Sequence, residues 1–171
     1  MVNRVLDPCS ILRVQTWNSE TRVPVAVTEI LGVDWPLKTG IVSSGCADII
    51  CVGPTDWLVL TGDPDATSKL HQLDALFEGC TFRATNMSQA LIRVEIETPN
   101  VRDLLAKGCA LDLHPRQFAP GRSARTRFAG MPVIVRCIST SIFELIVTRS
   151  YANFLSSWLD DAELEFKTVA C

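Results

Sequence analysis

Residues 131–169, MPVIVRCISTSIFELIVTRSYANFLSSWLDDAELEFKTV, contain some of the clearest strand and helix signals in the chain. Two runs rich in β-branched and aromatic residues flank the polar turn Ser-Thr-Ser, and the second run leads into a segment with apolar residues at helical spacing. Such runs around a polar turn predict a β-hairpin, and apolar residues three to four positions apart predict a helix. We therefore expect strand, turn, strand, helix and a final strand.

Residues 47–85, ADIICVGPTDWLVLTGDPDATSKLHQLDALFEGCTFRAT, have the same layout, with a Gly-Pro-Thr-Asp turn between the two strand-like runs. The predicted apolar faces of the two helices are Leu70, Leu73 and Phe77 in the first copy and Tyr151, Phe154 and Trp158 in the second. Self-similarity at a fixed offset, here about 86 residues, indicates an internal repeat. We therefore predict two quasi-repeated β-β-α-β units, with lobes at about 48–86 and 131–170.

Residues 88–108 supply a further strand and a helix between the two copies. Thr98 is suited to cap this helix, and Gly108 is suited to a left-handed exit from it. Hairpins with a helix in each unit predict an α+β fold of mostly antiparallel sheets with packed helices. At 171 residues, 47% of them hydrophobic, the chain is expected to form a single domain over residues 1–171.

The N-terminal part of the chain carries fewer signals. Residues 23–31 are compatible with a strand. The first 20 residues contain charges at Arg4, Asp7, Arg13 and Glu20, unlike a signal peptide, and no apolar run approaches the roughly 18 residues that cross a bilayer. A cytoplasmic location without a membrane partner is therefore expected.

The stretch 104–127, LLAKGCALDLHPRQFAPGRSARTR, joins a predicted helix end, a polar loop and a row of arginines. Polar and apolar residues alternate in the loop, which is typical of a loop pinned to a core by apolar side chains. We expect three apolar side chains of the loop to be buried, namely Leu111, Leu113 and Phe118. We expect three polar side chains to face outward, namely Asp112, His114 and Arg116. Arg125 and Arg127 alternate with Thr126 in a strand-like run, so they share one face and offer two planar guanidinium groups to carboxylates.

This stretch is the candidate functional site, a subunit interface, because arginine is enriched at interfaces and the span 102–136 has one Lys against six Arg. The net charge from residue 101 to residue 136 is +5, whereas the whole chain carries −3, which favours an acidic protein partner or a carboxylate-bearing ligand. Nucleic acid is not expected, since the patch lacks interleaved aromatic residues. Two alternatives to a subunit interface remain open. The arginines could form a solvated strand face, and Asp112 could close the loop by accepting backbone hydrogen bonds. The candidate interface residues are Leu111, Asp112, Leu113, Arg116, Phe118, Arg125 and Arg127.

Seven cysteines are present without a CxxC pair, which indicates neither a disulfide framework nor a zinc site. Cys109 is the cysteine at a plausible functional turn, and a thiol enzyme that uses Cys109 with His114 and Asp112 is one hypothesis. Catalytic trios usually converge from distant segments, however, and no glycine-rich phosphate loop is present. We therefore expect no catalytic, cofactor-binding or metal-ligating residue on this chain.

Four segments together resemble the gamma subunit family of heterotetrameric sarcosine oxidase: LLAKGCALDLHPRQFAPG, SARTRFAGMPVIV, FELIVTRSYANFLSSWL and DWLVLTG. The resemblance covers roughly residues 48–166 and implies an aminomethyltransferase-like, folate-binding type of fold. It also implies a non-catalytic gamma subunit in the complex that oxidatively demethylates sarcosine to glycine. The implied partners are a large folate-binding alpha subunit and the beta and delta subunits, which would carry FAD, FMN, NAD, tetrahydrofolate and zinc.

Two other functions remain open at this point. One is the small subunit of a related N-methyl amino acid dehydrogenase, such as N-methylglutamate dehydrogenase. The other is a free-standing folate-binding protein of the aminomethyltransferase type. The residues of this chain do not distinguish the amine substrates, because specificity belongs to the subunit that holds the flavin.

Overall fold

The chain folds into two compact units. The computed structural model describes residues 2–6, 9–17, 28, 32–62, 66–76 and 81–167. Residues 7–89 form one unit, called here the N-terminal unit, and residues 1–6 with 90–171 form the other, the C-terminal unit. Each contains a five-stranded sheet in which every strand pairing is antiparallel, so the α+β class predicted from the sequence is confirmed.

In the described part of the N-terminal unit, the helix Ala66–Leu76 packs against a sheet whose strands lie in the order Val42–Ser44, Ala47–Gly53, Asp56–Thr61, Ser10–Thr16 and Phe82–Asn86. Its core contains a pair of tryptophans, Trp35 and Trp57, whose ring centroids lie 5.4 Å apart, and Trp57 Nε1 donates to the carbonyl oxygen of Pro36 at 2.7 Å. Of the predicted helical face, Leu73 is buried and Leu70 is partly buried here, whereas Phe77 lies outside the described residues. The elements are Ser10–Thr16 (β2), Val42–Ser44 (β3), Ala47–Gly53 (β4), Asp56–Thr61 (β5), Ala66–Leu76 (α1) and Phe82–Asn86 (β6).

The described strands of the C-terminal unit lie in the order Val2–Val5, Leu91–Glu97, Ile142–Thr148, Met131–Cys137 and Ser123–Phe128. Successive residues of a strand point to opposite faces, so Val94, Val135 and Leu145 on neighbouring strands share the face that packs against the helices. This face carries the core of the unit. The elements are Val2–Val5 (β1), Leu91–Glu97 (β7), Val101–Ala106 (α2), Ser123–Phe128 (β8), Met131–Cys137 (β9), Ile142–Thr148 (β10), the 3₁₀ turn Arg149–Tyr151 and Ala152–Lys167 (α3).

Two cysteines mark matching positions in the predicted repeats. Cys51 near the end of β4 and Cys137 at the end of β9 each donate a thiol hydrogen bond to the carbonyl oxygen two residues on, at 3.2 Å in both cases. Each also pairs across the ladder with an aromatic residue, Trp57 for Cys51 and Phe143 for Cys137. The two hairpins thus share the same thiol hydrogen bond and the same type of cross-strand pair. The sequence pattern alone does not predict these contacts.

Two expectations about the second repeat are wrong. The predicted final strand is helical through Lys167, because α3 continues across it. The predicted helical face is also shifted, since Tyr151 and Phe154 are exposed and the helix buries Leu155 and Leu159 instead. A 3₁₀ turn of three residues precedes α3 and changes the phase at which side chains meet the core. Of the strand expected at residues 23–31, the structure describes Thr28 alone, and this residue is helical; the other residues of the predicted strand lie outside the described part of the chain.

Gly108 has a different role from the one predicted. Its backbone is not left-handed; the described glycines with a positive φ are Gly32, Gly40, Gly121 and Gly130. A Cβ on Gly108 would instead lie 2.9 Å from the ring of Phe128 and 3.0 Å from that of Trp158. The absence of a side chain therefore allows close packing of the loop start on the core. The preceding helix begins after Asn100, without a side-chain capping bond.

Candidate subunit interface

The loop that follows α2 is anchored by its apolar side chains. Leu113 and Phe118 are buried, and Phe118 stacks on Phe143 of β10 with ring centroids 6.1 Å apart. Leu111 is partly buried against the same core. The three apolar members of the candidate interface therefore hold the loop on its own unit.

Arg102 of α2 ties this loop to the core, a role that the sequence pattern did not predict. Its Nη1 donates to the carbonyl oxygens of Leu113 and Phe118, the second at 3.0 Å. Its Nη2 lies 3.7 Å from Cys137 Sγ, and its guanidinium carbon lies 4.9 Å from the centre of the Phe143 ring. The helical spacing contains a signal for this position. In a short helix that buries Val101, Leu104 and Leu105, residue 102 has to lie at the border of the core.

The tip of the loop is a surface turn closed by its own side chains. Asp112 Oδ1 accepts a hydrogen bond from the backbone N–H of His114 at 2.9 Å. His114 Nδ1 accepts one from the backbone N–H of Arg116 at 3.2 Å. All three residues are exposed, so the loop presents Asp112, His114 and Arg116 to solvent as expected. Asp112 thereby closes the turn as an acceptor of a backbone bond.

Cys109 does not join the exposed polar residues of the loop. It is buried, with its Sγ 3.9 Å from Thr126 Oγ1 and 3.5 Å from the backbone nitrogen of Leu111. The contacts of His114 and Asp112 are with the loop backbone instead. The trio of the thiol-enzyme hypothesis is therefore divided between the core and the surface.

Arg125 and Arg127 lie on the other face of the sheet. Along β8, Ala124 and Phe128 contact the core beneath the helices, so the alternate residues 125 and 127 point away from it and are exposed. The structure thus brings the two arginines together, as predicted. It separates them from the loop, which lies on the helix-bearing face of the same sheet.

A buried ion cluster occupies the centre of the face that carries the two arginines. Glu144 of β10 is 1% exposed and forms ion pairs with Arg93 of β7 and Arg136 of β9, the latter at 3.3 Å. At the far edge, Arg4 pairs with Glu95 at 2.9 Å. Arg136, counted in the basic span, is therefore buried and paired with Glu144, and the side chains of Arg125 and Arg127 are exposed.

Within the described residues, no group of three or more His, Cys, Asp or Glu side chains is placed to hold a metal ion. His71 lies in an open depression on α1 of about 630 Å³, beside Thr67, Ser68, Gln72 and Ala75. Burial raises the pKa of the Cys51 and Cys137 thiols, which disfavours the reactive thiolate. Among the described helices, none has the length and apolarity needed to cross a membrane.

The sarcosine oxidase, gamma subunit family matches this chain over residues 18–165. The chain belongs to this family. It is 27% identical to the sarcosine oxidase subunit gamma of Corynebacterium sp. strain U-96 over 147 residues, covering 84% of this chain and 70% of the relative. It is 26% identical to the subunit gamma of an Arthrobacter species over 144 residues, covering 82% and 70%.

Two solved structures share the fold. The heterotetrameric sarcosine oxidase from Corynebacterium sp. U-96, in complex with pyrrole 2-carboxylate, matches with a TM-score of 0.88 at 22% identity, over 99% of this chain and 86% of that chain. Aminomethyltransferase T of the glycine cleavage system from Bartonella henselae matches with a TM-score of 0.62 at 10% identity, over 92% and 44%. The resemblance drawn from the sequence is confirmed, as are the aminomethyltransferase-like fold and the gamma-subunit assignment.

Proposed function

We propose that this chain is the non-catalytic gamma subunit of a heterotetrameric sarcosine oxidase and supports assembly of the complex. The family match over residues 18–165 carries this proposal. In the proposed complex, a large folate-binding alpha subunit and the beta and delta subunits hold FAD, FMN, NAD, tetrahydrofolate and zinc. The complex oxidatively demethylates sarcosine to glycine, and the proposed location is the cytoplasm.

The proposed contact with the large subunit uses the exposed members of the candidate interface: Asp112 and Arg116 on the loop, and Arg125 and Arg127 on β8. Arginine makes bidentate bonds to carboxylates and is enriched at interfaces, which supports this choice. Leu111, Leu113 and Phe118 contribute indirectly, because they fix the loop that carries Asp112 and Arg116. The proposal thus involves two exposed patches on opposite faces of one sheet.

A charge-reversed variant tests the β8 patch. Replacing Arg125 and Arg127 together with glutamate should leave the chain folded, since exposed substitutions usually change stability by less than about 0.5 kcal/mol. Binding to the large subunit should weaken at least about tenfold, because reversed charges repel an acidic partner surface. Arg83→Glu is the matched control, since Arg83 is also an exposed arginine on an edge strand. Equal binding by the variant, the control and the wild type would exclude this patch from the interface.

Two further measurements separate the alternative functions. Turnover of sarcosine and N-methylglutamate by the assembled complex distinguishes the oxidase from a related dehydrogenase. The fold shared with aminomethyltransferase T motivates a titration of the isolated chain with tetrahydrofolate. We expect no saturable binding in the micromolar range, and such binding would favour a folate-binding protein over an assembly subunit.

A further inference from the structure

Arg122 follows a β-bulge at the point where the loop after α2 joins β8. Its backbone N–H bonds the carbonyl oxygen of Ala119 at 3.1 Å, which closes a turn in which Gly121 has a φ of 81°. The N–H of Gly121 donates to the carbonyl of Cys137 at 3.0 Å, and the N–H of Cys137 donates to the carbonyl of Arg122 at 2.9 Å. Two residues thus face one across the ladder, the first of them a left-handed glycine. This is the geometry of a β-bulge that re-aims the side chain beside it.

The side chain of Arg122 lies on the face of the sheet that carries the helices. Cross-strand partners project to the same face, and Cys137, opposite Arg122, belongs to the core beneath the helices. The loop that presents Asp112 and Arg116 lies on this face as well. Arg122 therefore shares a face with the exposed patch of the loop.

The guanidinium group of Arg122 differs from those of the other arginines at this end of the sheet. Residue 122 is partly exposed, but its Nε is buried and has no hydrogen-bond partner. No ion pair within the described residues involves Arg122, whereas Arg102 bonds two carbonyls and Arg136 pairs with Glu144. Because buried donors in proteins are nearly always bonded, a charged donor without an acceptor in its own chain is suited to an acceptor on another molecule.

A carboxylate of another protein is the acceptor that fits this position. Since Nε is buried and the residue is partly exposed, the accessible part of the group is its far end, with Nη1 and Nη2. Two parallel N–H bonds from this end match the two oxygens of one carboxylate. Arg122 is already partly removed from water, and the bulge holds its backbone, so less solvation and less conformational freedom are lost on binding.

We propose that Arg122 anchors the subunit interface by binding a carboxylate of the large subunit on the helix-bearing face of the C-terminal sheet. The inference rests on the proposed function, because it names a residue and the chemistry by which this chain holds its partner. It also extends the candidate interface, which does not include residue 122.

Two measurements on the full-length chain separate this role from a structural one. Arg122→Met removes the charge and keeps an apolar stem, so binding to the large subunit should weaken at least about tenfold in isothermal titration calorimetry. The melting temperature of the isolated variant should not fall, because the substitution removes a buried donor that has no acceptor. Unchanged affinity, with or without a lower melting temperature, would overturn the inference and leave the proposed function intact.

Arg122→Lys and Arg83→Met are the matched variants. Lysine keeps the charge but not the two parallel donors, so Arg122→Lys should bind about threefold or more below the wild type and above Arg122→Met. This variant also decides the matter if Arg122→Met is less stable than the wild type. Arg83 is an exposed arginine of the N-terminal unit, and Arg83→Met should change the affinity by less than about twofold. Equal losses in Arg122→Met and Arg83→Met would indicate a general effect of net charge and overturn the inference.

Three further outcomes would also overturn it. Inorganic phosphate or acetate, added to the isolated chain below about 10 mM, should not shift the Nε–H resonance of Arg122 saturably in nuclear magnetic resonance spectra. A saturable shift would assign the position to a free anion. A doubled mass in solution that Arg122→Met abolishes would assign it to a second copy of this chain. Failure of the wild-type chain to bind the large subunit at all would overturn the proposed function together with the inference.

Discussion

Arg102 connects four separate parts of the C-terminal unit through one guanidinium group. It bonds the carbonyls of Leu113 and Phe118, approaches the thiol of Cys137 and lies over the ring of Phe143. Arginine is suited to this position because its planar group carries five donors and also stacks on an aromatic face. The exposed loop that includes Asp112 is therefore held by a bond network within the same unit.

Replacing Arg102 with methionine should lower the free energy of unfolding by roughly 2–3 kcal/mol, because two carbonyls lose charged donors while the apolar stem is kept. Urea denaturation measures this change. Asp103→Asn is the neighbouring control on the same helix, since Asp103 is exposed, and should change stability by less than about 0.5 kcal/mol. Equal stabilities of the two variants would mean that Arg102 does not anchor the loop.

The buried thiols make stability depend on alkaline pH. Burial raises the pKa of Cys51 and of Cys137, although Arg102 partly opposes the rise at Cys137. A raised pKa means that the folded state holds the proton more tightly than the unfolded chain does. The stabilisation is therefore complete below the unfolded pKa, near 8.5, and is lost as pH rises through the folded value.

The free energy of unfolding should therefore fall as pH rises from about 8 to about 10, and should fall less steeply in the variant Cys51→Ala/Cys137→Ala. Denaturant titrations at several pH values measure both slopes. Mass-spectrometric mapping of alkylation by iodoacetamide provides a second readout, in which exposed Cys46 should react before either buried thiol. Parallel slopes for the variant and the wild type would rule out this origin of the pH dependence.

At the scale of elements, the hairpins were predictable and their connections were not. Alternating β-branched residues around polar turns located β4 with β5 and β9 with β10, because those signals are local. Which face of α3 is buried depends on the 3₁₀ turn that precedes it. In addition, α3 continues through Lys167, where a strand was expected. The fit of Gly108 against Phe128 depends on residues distant in sequence. Local patterns do not encode such tertiary distances.

The β8–β9 hairpin contains a residue in an unfavourable backbone conformation. Ala129 has a φ of 48°, in the left-handed region that costs an alanine more than a glycine, and it is followed by Gly130 with a φ of 84°. Ala129→Gly should therefore raise the free energy of unfolding by about 0.5–1 kcal/mol. Differential scanning calorimetry would detect this as a higher melting temperature.

Gly130→Ala is the paired control for the hairpin. Apart from its chain neighbours, no atom of the described residues lies within 4 Å of the position that its Cβ would occupy, so the change adds backbone strain without a steric clash. It should lower stability by roughly 1 kcal/mol. A stabilising Gly130→Ala, or a destabilising Ala129→Gly, would contradict the assigned turn.

At the scale of the whole molecule, the sequence predicted the family and a basic span, but not which basic residues reach the surface. Arg102 bonds loop carbonyls, Arg136 pairs with Glu144, and Lys107 pairs with Glu165. The exposed basic groups of the candidate interface are therefore Arg116, Arg125 and Arg127. Their location on two opposite faces of the sheet also depends on the fold, because sequence proximity does not define sheet faces.

Native mass spectrometry of the four purified subunits, mixed with and without this chain, tests most directly whether it is an assembly subunit. With the chain present, we expect one complex containing a single set of the four subunits and oxidising sarcosine. Without it, we expect smaller assemblies with reduced activity, which return to the full complex when the purified chain is added back. A fully active complex in its absence, or a chain that stays monomeric in the mixture, would contradict the proposed role.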